Sequence, residues 1–420
     1  MNKKLLVILS LVLLVMMLSL TGCGGSDQGE SEGKSTGEKQ QSSENKVDEV
    51  VVGVLYPTSG NLARLGGAAQ DAVKLAAEDI NAAGGIKSLG GAKIKLEITD
   101  PGSTPESTKS ASERLIQTKQ VSALTGDYSS SLSMVTSEIA ERAKIPFVTA
   151  SISDGLSSRG FKYFFQVSPK GSMFGETQVR FAKESLVDDM GIQPKAAIIF
   201  EDTTYGSSTA EGLKKTAEEL GFDIVLNEPY QAGFTDATPL INKIKGSGAT
   251  ILFPVSYLTD AILIQKTIKL MGVDIITVGG GAGYLMPEFR DALGADADGV
   301  VSVASWNKDV NKPGIEDVAA RYKEKYGEFL TEHSGEAYAA TWVIAHGIEK
   351  AASTDPTAIR DAIAELIVED GMAGGIMPGG NIEFDETGWN KNVHPVIIQW
   401  QDGEPKTIYP AQDATSEFRN

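Results

Sequence analysis

Residues 121–154 read VSALTGDYSSSLSMVTSEIAERAKIPFVTASISD. Two apolar runs of strand length, 121–126 and 145–150, flank a segment of helical period at 131–143. Strands this apolar have no wet face, so they belong to a parallel sheet covered by helices on both sides.

The same alternation extends in both directions. Upstream, 50–55 (VVVGVL) is a strand, and Val73, Ala76, Ala77 and Ile80 fall on one helical face that stops at Ala83-Gly84-Gly85. A strand at 94–99 and a helix at 107–119 follow. Downstream the pattern restarts: strands at 196–200, 223–226, 250–254, 275–279 and 299–304 alternate with helices at 207–220, 239–245 and 260–271. Helices at 315–326, 335–352 and 356–366 then precede a last strand at 396–400. Two successive βα series predict an α/β protein of two doubly wound parallel-sheet lobes, and 420 residues suffice for both.

The N-terminus reads as an export signal. Lys3 and Lys4 precede a short apolar run, and Leu20-Thr21-Gly22-Cys23 ends it. We expect a lipoprotein signal peptide over 1–22, with Cys23, the only cysteine, lipidated. Residues 23–48 would be the lipidated cysteine and a Gly/Ser/Glu/Lys-rich tether. The folded body would sit on the extracytoplasmic face of the cell membrane, held by lipid alone. With 56 acidic against 38 basic residues the net charge is −18, which argues against nucleic acid as a partner. One cysteine excludes an intrachain disulfide.

In open α/β sheets, ligands sit beyond the carboxyl ends of the strands. One such end carries Asp127-Tyr128-Ser129-Ser130-Ser131, and the adjacent one carries Thr149-Ala150-Ser151-Ile152-Ser153-Asp154. Hydroxyls there cap helices, and the same exposed N–H groups bind carboxylates; both roles stay open on sequence alone. In the second series, Tyr205, Tyr257 and Tyr284 lie at equivalent positions.

The strings VVGVLYPTSG, AAQDAVKLAAEDINAAGGI, ALTGDYSSS and KIPFVTASIS resemble the branched-chain-amino-acid type of extracytoplasmic solute-binding protein, with a type I periplasmic-binding-protein fold serving ABC transporters. The resemblance runs from about Val50 to Trp400. It implies two lobes joined by a three-crossing hinge, near Lys170, 299–306 and His394. Lobe I would comprise 49–170 plus 300–394, and lobe II 171–299 plus 395–420. It further implies a ligand clamp of Ser130, Ser151, Ile152 and Ser153, faced by Tyr205 and Tyr257; Tyr128 and Ser129 of the same strand-end turn, and Gly281, complete the expected site. Where leucine/isoleucine/valine binders carry a glutamate for the ligand ammonium, this sequence has Gly281. An amino-acid ligand would then need another acid, with Asp127, Asp202 and Asp260 as candidates. Otherwise the ligand would be an amide, a urea-like compound or a small carboxylate.

The implied partners are a small molecule and the permease and ATPase subunits of an importer, with the chain itself a monomer. A sensor delivering ligand to a separate receptor would share the fold. The three histidines, His333, His346 and His394, neighbour no G-x-S-x-G, HExxH or CxxC motif, and Gly279-Gly280-Gly281 lacks dinucleotide-fingerprint spacing. We expect neither enzyme activity, nor a cofactor, nor a metal.

Overall fold

The computed structural model describes residues 47–369, 371–374 and 376–419. The signal peptide, Cys23 and nearly all of the tether lie outside them. Among the described residues no helix is long and apolar enough to cross a membrane.

Apolar strand residues and amphipathic helices produce two sheets. The first lobe begins β1 (Glu49–Leu55), α1 (Ala63–Ala82), β2 (Lys93–Ile98), α2 (Pro105–Lys119), β3 (Ala123–Gly126) and α3 (Ser130–Ala143). It continues β4 (Phe147–Thr149), a short α4 (Asp154–Ser157) and β5 (Phe164–Gln166). These strands are parallel, in the order β2-β1-β3-β4-β5. Val52, Val54 and Leu55 are fully buried, and the face of α1 expected from Val73, Ala76, Ala77 and Ile80 packs against the sheet in one apolar core.

The second lobe runs α5 (Gly171–Phe181), β6 (Lys195–Glu201), α6 (Thr204–Glu219), β7 (Asp223–Tyr230), α7 (Thr238–Ser247) and β8 (Ile251–Val255). Next come α8 (Leu258–Leu270), β9 (Ile276–Gly280), α9 (Pro287–Leu293) and β10 (Val301–Ala304). The chain then returns to the first lobe with α10 (Ile315–Tyr326), α11 (Glu332–Ala351), α12 (Pro356–Ala364) and a small ribbon, β11 (Ile367–Val368) with β12 (Ile382–Glu383). Val343, Ile344 and Ile348 of α11 share the first core. Finally β13 (Val396–Gln401) and β14 (Glu404–Tyr409) join the second sheet antiparallel, giving β14-β13-β10-β9-β8-β6-β7. Because β10 pairs with both β9 and β13, residues 301–304 belong to the second sheet, and the middle crossing falls after them rather than at residue 300.

The first and last crossings are bonded to each other. The Gln166 amide donates to the Gly388 carbonyl (2.8 Å) and the Asn390 amide to the Gln166 carbonyl (2.9 Å). Trp389 Nε1 donates to the Ser168 carbonyl and Asn390 Nδ2 to that of Val167.

The second lobe's entry helix packs unusually close. A Cβ on Gly175 would come 2.2 Å from the Leu213 amide nitrogen, and one on Gly212 would come 2.2 Å from the Ser172 carbonyl oxygen. Only glycine lets α5 and α6 meet backbone to backbone, which sets Ser172 and Ser208 side by side at the cleft. Gly175→Val should force these helices apart. Over-packing costs about 1–3 kcal/mol, so the melting temperature should fall by several degrees in differential scanning calorimetry; an unchanged value would contradict the close approach.

Candidate functional site

Both sheets reverse strand order, between β1 and β3 and between β6 and β8, and their strand ends face one cleft. At the first reversal β3 delivers Tyr128, Ser129 and Ser130, and neighbouring β4 delivers Ser151, Ile152 and Ser153. The two turns converge as their sequence suggested: the Ser153 amide donates to Ser130 Oγ at 3.2 Å. Ser129 occupies the N-cap position of α3 without a side-chain cap bond, so capping does not account for these serines. The second turn is braced from below. The Thr149 hydroxyl donates to the Gly126 carbonyl and accepts from the Ser151 amide, and Ser151 Oγ lies 2.7 Å from Ser133 Oγ.

The second lobe supplies Phe174 from α5, Tyr205 from the first turn of α6, and Tyr257 from the end of β8. The Tyr205 and Tyr257 rings lie 5.0 Å apart and those of Tyr257 and Tyr128 5.5 Å, which makes a continuous aromatic bridge across the cleft. Tyr128 extends it to His333 at 4.3 Å. The lobes also meet through polar contacts. Ser131 Oγ reaches Thr204 Oγ1 at 3.3 Å, and the Asp154 carboxylate accepts from the Ser172 amide and from Ser208 Oγ. At the rim Arg64 bridges Glu288 and Glu328.

Between them lies a cavity with about 310 Å³ of space, counted to its open rim. Seven of the expected residues line it: Tyr128, Ser130, Ser151, Ile152, Tyr205, Tyr257 and Gly281. Ser129 and Ser153 stand just behind, the former in hydrogen-bond reach of the Tyr257 hydroxyl. Gly281 has φ +86°, and a Cβ there would lie 2.6 Å from the Tyr205 hydroxyl oxygen, which donates to the Gly280 carbonyl. A side chain at position 281 would therefore collide with the Tyr205 hydroxyl.

None of the three aspartates proposed as a substitute lines the cavity. Asp202 is exposed and accepts from Gln231. Asp260 is buried behind the wall, accepting from the Gly233 amide, and burial raises its carboxyl. Asp127 lies beneath the serine turns, where burial, partly offset by Thr136, pushes its carboxyl to about 7. Strand-end placement brought these residues near the cleft but did not fix which way they point. Phe174, Glu332 and His333 line the cavity without having been expected there. The last two open α11, whose apolar period starts only at Gly335, so the sequence reading began that helix three residues late.

A profile of the periplasmic binding protein family matches residues 49–404. The chain belongs to that family. A Leu/Ile/Val-binding protein homolog of Brucella melitensis is 32% identical over 381 residues, covering 88% of this chain and 93% of the relative. The leucine-binding protein of Thermotoga maritima superposes with a TM-score of 0.76 at 21% identity, covering 86% of this chain and 98% of the other. A Streptococcus pneumoniae branched-chain amino acid transporter substrate-binding protein, solved with isoleucine, gives 0.75 at 24% identity, with 86% and 100% covered. An R. palustris solute-binding protein solved with benzoate also gives 0.75, at 18% identity, with 88% and 98% covered. The fold and family read from the sequence are thus those found.

Glu201, at the end of β6, is the acid on which the aromatic wall rests. Its Oε1 accepts from the Tyr257 amide at 2.6 Å, and burial, reinforced by the negative charge of Asp260, pushes its carboxyl to about 8. The unfolded chain releases this proton near 4.5 and the folded protein near 8, so Glu201 stabilises the fold less and less as pH rises through that window. Glu201→Gln keeps the acceptor and removes the titration. The wild-type melting temperature minus that of the variant should fall between pH 5 and pH 8; a constant difference would refute the burial argument.

Proposed function

We propose that this protein is the solute-capturing component of an ABC importer, closing on a small carboxylate-bearing solute, an amino acid or a small organic acid, between its lobes. The observation that carries the reading is the meeting of two hydroxyl-rich turns from adjacent strands under an aromatic wall from the opposite lobe. Ser130 Oγ accepts from the Ser153 amide and keeps its own proton for a ligand oxygen. The family and the ligands named for the Streptococcus and R. palustris proteins support both solute classes. The sequence supports lipid anchoring at Cys23 after removal of residues 1–22, with 23–48 as tether, and the crossings support a hinge. Permease and ATPase subunits would be the partners, meeting the protein as a monomer on the extracytoplasmic face.

A thermal-shift screen of amino acids, amides, ureas and small carboxylates tests the reading, because a ligand of the native state raises the melting point by mass action. If no compound in these classes shifts it, the reading fails. A hydrogen bond to a charged group contributes about 1.5–3 kcal/mol. Ser130→Ala should therefore weaken the hit roughly tenfold or more in calorimetry, and Ser153→Ala should weaken it less, since its amide survives. Equal, wild-type affinities would reduce the serines to structural roles. Cys23→Ser should release the protein from the membrane with ligand affinity intact; retention in the membrane fraction would refute the anchor.

A further inference from the structure

Glu332 is the acid that the cleft does contain. It opens α11 in the first lobe with its side chain only 2% exposed. Its two oxygens have different surroundings. Oε1 accepts from the Ser305 amide and from Ser305 Oγ at 2.7 Å, which fixes the carboxylate in place. Oε2 has no hydrogen-bond partner, and it stands 3.5 Å from His333 Nδ1, which lacks one too. Both residues are on the cavity wall, as are Ser130 and Ser151. One helical turn further on, Glu336 is buried, and burial together with the Glu332 charge pushes its carboxyl well above the usual range. Of this buried pair, Glu332 is the member on the cavity wall.

A buried carboxylate oxygen that accepts no hydrogen bond, with only the His333 ring nitrogen at ion-pair distance, is costly. On this wall it is also one side of a recognition surface, whose other side is the serine cradle for an anion. We propose that Glu332 Oε2 pairs the ammonium of the ligand, so that the first lobe holds both charges of an α-amino acid while Tyr205, Tyr257 and Phe174 cover its side chain. The proposal rests on the solute-binding reading above and narrows it from carboxylates in general to zwitterions. The position of Gly281 cannot supply this charge, because its positive φ and the Tyr205 hydroxyl leave no room for a side chain.

The test compares ligands that differ only in the amine. The full chain is screened by thermal shift and calorimetry against the twenty L-amino acids, 4-methylpentanoate (leucine without its amine), 3-phenylpropanoate (phenylalanine without its amine), benzoate and choline. The expected result is binding of one or more amino acids, with the matched des-amino acid at least tenfold weaker. Glu332→Gln should weaken the amino acid by about thirtyfold or more, the low end of what removing one partner of a buried charge pair costs, and should leave benzoate no weaker. If benzoate or a des-amino acid binds as well as every amino acid, the proposal falls and the solute-binding reading stands. Choline binding without any amino acid, or unchanged amino-acid affinity in Glu332→Gln, also overturns it, the second leaving Glu332 as a brace for Ser305. If nothing binds, both readings fall. Should the variant not fold, the wild-type comparison between each amino acid and its des-amino partner decides alone.

Discussion

The strand orders 2-1-3-4-5 and 7-6-8-9-10 leave each sheet with one place where the chain departs to opposite sides, and a crevice opens there at the carboxyl ends. Neither crevice is a site by itself. The first is shallow and polar, floored by the turns that follow β3 and β4. The second is a ledge of rings at the ends of β6 and β8. Only when the two face each other does a polar group on one side acquire an apolar cover on the other, which is what strengthens hydrogen bonds made inside.

Glu332 excepted, the acids that help shape these walls are kept out of the ligand's way. Glu201 and Asp127 illustrate how. Each sits one layer behind the cavity, with its carboxyl raised by burial, so near neutral pH much of the local charge is suppressed rather than compensated. Tyr205 shows the same economy in a neutral group: its hydroxyl is satisfied by the Gly280 carbonyl, and its ring is left to face the cleft. The tyrosines thus act as surfaces first and as hydrogen-bonding groups second.

Much of this was legible in the sequence because parallel strands buried on both faces leave unbroken apolar runs, and because their ends are where ligands go. That logic, together with the family resemblance, pointed to Tyr128, Ser130, Ser151, Ile152, Tyr205 and Tyr257, which line the cavity. It failed where the signal is short or belongs to no period. β5 has three residues and β14 reads EPKTIY, neither a clear apolar run. The segment GSMFGETQVRF begins with glycine and carries a second one, yet it forms α5 because those glycines meet α6. Glu332 and His333 precede any apolar repeat, and they reach the cavity because the chain crosses back to the first lobe after β10, a tertiary fact that no local pattern encodes. The three aspartates failed for the complementary reason: proximity along a strand says little about side-chain direction.

The bonded crossings carry one more consequence. Four hydrogen bonds join residues 166–168 to 388–390, so these two segments behave mechanically as a single plate. Sliding one past the other would break all four, whereas flexing both together breaks none. In the closure proposed here, that favours rotation of the lobes over sliding at these two crossings. A solute too bulky for the space between the serine turns and the rings would stop the rotation early, and its size would be converted into the separation of the two outer rims, where a membrane complex could gauge it without touching the solute itself.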